Sequence, residues 1–224
     1  MSKQTKQGAR LGAALALALL TGCSAAAREA SPATREQAAA EQTAGELTLP
    51  AFTNVRVDAV TTDVSFRYGS GYALHYELPE GELLEQAEVQ DGTLLFCTES
   101  EPDSSLPHHG QLVITLPEDT ELGEIRVYTS FGSLRFTGQA ASLDFESSKG
   151  GAQVTGKITD TLRMDTTTGP LTAALPDPTL MAETGGKLTV DGVEQAGRFS
   201  RQGGGCSARI TSSRGDITIT TRTQ

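Results

Sequence analysis

The chain has 224 residues, with 18 Lys and Arg against 28 Asp and Glu, a formal net charge of −10 and no Trp. That balance excludes clustered binding to phosphate backbones, which depends on Lys and Arg neutralising the phosphates, so no nucleic-acid partner is expected. Acidity favours solubility and repulsion from an anionic surface, and it names no partner.

Lys3, Lys6 and Arg10 make a basic start without an acid, and residues 11–20 (LGAALALALL) follow as an unbroken apolar run of ten. Ten residues suit a signal-peptide core and fall short of the roughly 20 that a spanning helix needs. The run ends in Leu20-Thr21-Gly22-Cys23, which resembles the bacterial lipobox. The resemblance implies that Leu20, Thr21 and Gly22 form the peptidase recognition site. It also implies that Cys23 carries a diacylglyceryl group and becomes the new N-terminus. Residues 1–22 are then a signal peptide, and what remains hangs from a membrane on its extracytoplasmic face. Removing those residues, with three bases and no acid, leaves 15 basic against 28 acidic side chains, a net of −13.

Residues 23–46 are rich in Ala, Glu, Gln and Thr and lack large apolar side chains. Such a segment buries too little surface to offset its ordering entropy and reads as a tether. From Leu47 to the end, apolar and polar residues alternate, as in Val55, Val57 and Ala59 and again in Val64, Phe66 and Tyr68. Residues 47–224 are therefore expected to form one all-β domain, large enough for its own core. Asp91-Gly92 between two such runs signals a hairpin. Residues 111–116 (QLVITL) read as a strand ended by Pro117, and residues 82–87 as a short amphipathic helix.

The second half, residues 127–220, repeats. VYTSFGSLRFTG, FESSKGGAQVTG, MDTTTGPLTAA, MAETGGKLTVDG and ITSSRGDITI share one pattern: apolar, polar, two residues mostly Ser or Thr, any residue, Gly, any residue, apolar, polar, apolar. The shared glycines are Gly132, Gly150, Gly169, Gly186 and Gly215, spaced by 18, 19, 17 and 29. Residues 60–66 (VTTDVSF) read as a worn copy without the glycine. A near-constant period of this length predicts β-solenoid-like stacking of the repeats, preceded by antiparallel strands. The glycines are expected at turns needing φ > 0, and the Ser/Thr pairs are expected to bond backbone in those turns. Leu134, Phe136, Leu171, Leu188, Val190, Ile217 and Ile219 should point into a continuous core. The long last spacing holds residues 197–207 (GRFSRQGGGCS), read as an insertion or an extra layer. An antiparallel sandwich of hairpins is the competing architecture.

Cys97 and Cys206 remain after Cys23. An oxidising exterior permits a disulfide between them, and the long loop would make it worth about 4–5 kcal/mol in the chain-entropy view. A bridge and two separate thiols both stay open.

These repeats, with the DGTL turn at residues 91–94 and the strand VITLP at 113–117 before them, resemble a bacterial putative-adhesin family, domain-of-unknown-function family 4097. The resemblance extends from about Leu47 to the C-terminus. It implies a surface-exposed, membrane-anchored β-repeat module and supplies no catalytic residues. The adhesive role is itself an analogy from fold.

Other motifs read as structure. Arg214-Gly215-Asp216 spells an integrin-recognition tripeptide, but Gly215 is the repeat glycine and its neighbours vary between copies. His108-His109, with Asp103, sits in a Pro- and Ser-rich loop without ligand spacing, so no metal is expected. His75 reads as a strand residue. No Asp or Glu recurs at one repeat position: Asp165, Asp191 and Asp216 differ in phase. No nucleophile elbow or phosphate loop is present, and a β-helix glycosidase or lyase would need clustered carboxylates. No cofactor or catalytic residue is therefore expected. Tyr128 and Phe131 alone point outward by pattern, with Phe136 and Phe145 inward, too few aromatics to argue a sugar site. The expected function is a non-catalytic, lipid-anchored module presenting a strand face to a protein or envelope polymer. The alternative is an envelope enzyme or ligand-binding protein acting on a polysaccharide, which a deep groove collecting polar residues from successive layers would favour.

Overall fold

The structure, a computed structural model, describes residues 43–101 and 109–221. The signal peptide, Cys23, most of the tether, Asp103 and His108 lie outside the described residues. Every assigned element among the described residues is a strand. The first eight are β1 (Ala44–Thr48), β2 (Asn54–Ala59), β3 (Asp63–Gly69), β4 (Ala73–Glu77), β5 (Glu82–Gln90), β6 (Thr93–Ser100), β7 (Gln111–Pro117) and β8 (Glu121–Thr129). Two long strands follow, β9 (Leu134–Ser147) and β10 (Ala152–Thr166). The rest are β11 (Leu171–Ala174), β12 (Thr179–Thr184), β13 (Leu188–Val190), β14 (Val193–Gln195), β15 (Arg198–Arg201), β16 (Ser207–Ser212) and β17 (Ile217–Thr220).

Parallel pairing runs through the molecule in two series. The first goes β6–β2–β8, then residues 142–147 of β9, 161–166 of β10, β16 and β12. The second goes β7–β3, then residues 134–135 of β9, 152–158 of β10, β11, β17 and β13. Each strand alternates buried and outward residues, so equivalent inward positions align from strand to strand. Leu94, Val55, Ile125, Leu143, Leu162, Ala208 and Leu180 form one such row, and all are buried. Leu112, Val64, Leu134, Ala152, Leu171, Ile217 and Leu188 form its counterpart in the second series. The seven residues expected inside are buried, as are Phe136 and Phe145.

Two stretches are out of chain order. Residues 54–69 pair between 93–117 and 121–135, and residues 207–220 pair between 161–174 and 179–190. The parallel pairing therefore begins before residue 127, where antiparallel strands alone were expected. Antiparallel strands instead close the outer edges. At one end β5 lies on β6, β4 on β7 and β1 on β4. At the other, β15 lies on β12 and β14 on β13. Residues 191–206, which lengthen the last repeat spacing, supply that second closure and the return path to β16.

Two local expectations change and one open alternative is decided. Residues 82–87 are strand, not helix: β5 pairs with β6 across the Asp91-Gly92 hairpin, with a register shift between Leu84 and Gln86. Intermittent apolar residues there reflect a bulged edge strand, which mimics helical spacing. Ala44 to Glu46, placed in the tether by the sequence, belong to strand β1, where Gly45 lets the Tyr76 ring lie against the backbone, within 2.7 Å of where a Cβ would stand. Cys97 and Cys206 are free. Cys97 sits on β6 and Cys206 beside β16, five ladder steps away; that is about 24 Å, far beyond disulfide reach.

Candidate functional site

The repeat glycines sit side by side. Thr62, Gly132, Gly150, Gly169, Gly215 and Gly186 form one column at the corner between the two series. A Cβ on Gly132 would strike the Thr62 carbonyl, one on Gly150 the Gly132 carbonyl, one on Gly169 the Gly150 carbonyl and one on Gly215 the Gly169 carbonyl. None of the five repeat glycines has positive φ. The expected φ > 0 turn is therefore wrong, and these positions are glycine because the neighbouring backbone leaves no room for a side chain.

A hydroxyl column accompanies them. Thr129, Ser147, Thr166 and Ser212 each accept the N–H of the glycine three residues on, at 2.8–3.3 Å. Thr184 accepts from Gly186 at 2.9 Å. Thr129, Ser147, Thr166 and Thr184 also donate across to carbonyls of the adjacent layer, Val60, Gly132, Gly150 and Gly215 respectively. The worn copy breaks the pattern, since Ala59 stands where the hydroxyl should be. Glu82 of β5 replaces it. This carboxylate, 1% exposed, accepts the N–H of Val60 and Thr61 and the hydroxyls of Thr61, Thr62 and Thr98. A buried carboxylate is tolerable only with such saturation.

The outward side chains of the first series carry the molecule's most ordered chemistry. Arg56, Arg126, Asp144, Arg163 and Arg209 share one outward row. Two residues on, Asp58, Tyr128, Glu146, Asp165, Thr211 and Glu183 share the next. Neighbours along each row are about 4.8 Å apart. Carboxylates therefore do recur at one repeat position, contrary to expectation: Asp58, Glu146, Asp165 and Glu183. Glu146 and Asp165 are the second residues of their repeats, and starting the repeat two residues earlier adds the arginine position, as in VRVDA, IRVYT, LDFES, LRMDT and ARITS.

Pairing within this face is local. Arg126 meets Glu124 at 2.7 Å, and that hydrogen bond holds its guanidinium above the usual arginine range. Arg163 lies 3.9 Å from Asp144. The Tyr128 hydroxyl donates to Asp144 at 3.2 Å; burial first, then the Asp144 charge, pushes the Tyr128 phenol up. Burial likewise pushes both thiols up, with Asp58 adding at Cys97, which keeps them in the unreactive protonated form.

A concavity of about 650 Å³ lies at one corner of this face. It collects Asp165, Arg209, Thr211 and Glu183 from three adjoining strands of the first series, walled by Gly197 and Arg198. The Arg198–Glu183 pair at 2.7 Å bounds it.

Other singled-out residues fall elsewhere. Gly215 of the Arg-Gly-Asp tripeptide is buried in the glycine column, and Asp216 accepts the Lys187 N–H at 2.9 Å. His109 lies 3.5 Å from Asp63, and His75 lies 3.5 Å from Glu77 on β4. The described residues hold no group of three or more His, Cys, Asp and Glu placed to bind a metal ion.

No family model matches the chain, and no curated protein sequence matches it. Among solved structures, it is similar to a putative cell adhesion protein from Clostridium sporogenes, with a TM-score of 0.58 over 81% of this chain and 100% of that one, at 16% identity. A putative adhesin from Bacteroides fragilis aligns over 80% of this chain and 96% of its own at 11% identity, with a TM-score of 0.32. The first likeness establishes a shared fold; the second is too distant to carry an argument.

Proposed function

We propose that the chain is a β-solenoid surface module of the putative-adhesin type, held at the outer side of a membrane by lipid on Cys23 and a tether. It acts without catalysis by presenting a rigid strand face to a protein or envelope polymer. The observation that carries this reading is the pair of in-register outward rows, arginines beside carboxylates, laid over a continuous core. Side chains fixed at strand spacing present a repeating charge pattern, and such patterns select partners and orient them. The likeness to a putative cell adhesion protein supports a surface role by analogy of fold alone.

The anchor is tested by intact mass and membrane partitioning of the precursor beside Cys23→Ala. A lipid-sized mass gain and membrane retention, both lost in the variant, are expected; equal solubility and processing of the two proteins would sink the anchor. A second reading, a ligand-binding protein, is favoured by the corner concavity, which gathers polar groups from successive strands.

A further inference from the structure

Two opposite charges at the corner of the first series stand close without meeting. Elsewhere on this face Arg126 lies on Glu124, Arg163 near Asp144 and Arg198 on Glu183. Arg209 on β16 takes part in no ion pair among the described residues, and neither does Asp165 on β10. Asp165 and Glu183 both pair in register with Thr211, two residues along from Arg209. Each carboxylate therefore stands diagonal to the guanidinium, about 8 Å away across the sheet. The space above all four residues is the corner concavity of about 650 Å³, a volume in the range of small-ligand sites.

The four side chains leave the same face of the sheet. Arg209, Thr211, Asp165 and Glu183 alternate with the buried Ala208, Ile210, Met164 and Ala182 on their own strands. Their strands are β10, β16 and β12, joined in parallel register, so the groups project from a rigid base at strand spacing. The wall beside them is the turn into β15. Gly197 takes a φ of +77° there, and its carbonyl accepts the Thr184 N–H at 2.8 Å, which fastens the wall to β12. Groups fixed in advance lose little freedom when a ligand arrives.

Charge selects the occupant. Arg209 and Arg198 balance Asp165 and Glu183 among the lining residues, so a lone ion of either sign meets repulsion as well as attraction. A small molecule that carries both charges close together meets a partner for each. The carboxylate of an α-amino acid takes the Arg209 guanidinium in a two-pronged pair. Its ammonium then lies over Thr211 and donates to that hydroxyl and to the carboxylates on either side.

We infer that this corner binds the zwitterionic α-ammonium carboxylate group of an amino acid, with Arg209 on the carboxylate and Asp165, Thr211 and Glu183 around the ammonium. The inference rests on the ligand-binding reading of the concavity and names its chemistry. The group comes either from a free amino acid or from one whose side chain is joined to a larger molecule.

The test is a saturation-transfer NMR titration of the purified full chain in detergent. D-alanine and L-alanine are the free probes, and Nε-acetyl-lysine carries the same group on a longer chain. N-acetylalanine lacks the ammonium, alaninamide lacks the carboxylate, and galactobiose is the uncharged control. Transfer from Nε-acetyl-lysine and from at least one alanine is expected; transfer from Nε-acetyl-lysine alone assigns the group to a larger molecule. Each single-charge probe should bind at least about tenfold more weakly. Arg209→Gln should lose about tenfold in affinity for the zwitterions, and Asp165→Asn about threefold, because Glu183 remains. Both variants should melt within a few degrees of the parent, since both side chains stand on the outer face. No transfer from any zwitterion, equal binding of N-acetylalanine or alaninamide, or affinity unchanged in both variants overturns the site. Transfer from galactobiose alone, lost in Arg209→Gln, overturns the zwitterion and leaves the concavity a ligand site of another kind.

Discussion

The middle of the molecule and its two ends solve one problem differently. From β8 through β11, successive layers follow chain order, and each corner is held by a glycine packed on a carbonyl with a hydroxyl beside it. Those parts are interchangeable, and any one layer repeats its neighbour. At the ends no neighbour exists to continue the column, and particular side chains take over. Glu82 gathers five donors at one end. At the other, Arg201 reaches Thr221 at 2.8 Å and Asp177 at 3.4 Å, while Asp191 accepts both the N–H and the hydroxyl of Thr221. Repetition is stabilised by backbone geometry, and termination by unique polar networks.

Substitutions on either side sharpen the contrast. Gly150→Ala should have the largest effect, because the added methyl would overlap the Gly132 carbonyl. A loss above about 4 kcal/mol in urea unfolding is expected, against a change within about 0.5 kcal/mol for Gly71→Ala, where nothing lies within 4 Å of a Cβ position. A mild Gly150→Ala would remove steric exclusion as the reason for the column. Next comes Glu82→Ala, which removes the acceptor of the Thr61 N–H and of three hydroxyls, while the Val60 N–H keeps the Thr98 hydroxyl at 3.3 Å, and should cost about 4 kcal/mol. Ser147→Ala, its counterpart in the middle, should cost only about 1 kcal/mol; equal losses for the two would erase the distinction between ends and middle.

Arg209→Gln and Arg163→Gln on the outward row should shift stability by less than about 0.5 kcal/mol, since exposed ion pairs contribute little. A large loss from either would mean that the charged rows hold the fold together and are not free for a partner. Smallest of all is the expected chemistry of the thiols. Iodoacetamide at pH 8 should label Cys97 and Cys206 slowly in the native protein and fully after denaturation, with identical mobility under reducing and non-reducing electrophoresis. A mobility shift would bring the disulfide back.

Much of the middle was legible because it repeats. Alternation identifies Leu134, Phe136, Leu171 and Ile217 as core, and the recurring glycines mark the corners. The reason for those glycines was not legible, because a residue's own backbone angle and its neighbour's carbonyl leave the same trace in a sequence. The arginine row is hidden from a repeat that starts at Val127, because Arg126 falls outside the unit. Glu82 gave no signal, because a carboxylate in a polar stretch looks solvated until the strand that carries it folds over Val60 and Thr61. Tyr68 alternates with Val64 and Phe66, which marks it as core, yet it stands 43% exposed, with its hydroxyl where a Cβ on Gly138 would lie.

The order of the layers has a consequence for synthesis. An array built in sequence can close each layer as it leaves the ribosome and can shed its last unit with little harm. Here residues 207–220 enter between layers made before them. Until that last stretch emerges, β12 and β13 have no parallel partner, and β10 and β11 present open edges. The chain therefore locks like a clasp when residues 207–220 enter, and loss of that stretch would release residues 179–201 as well.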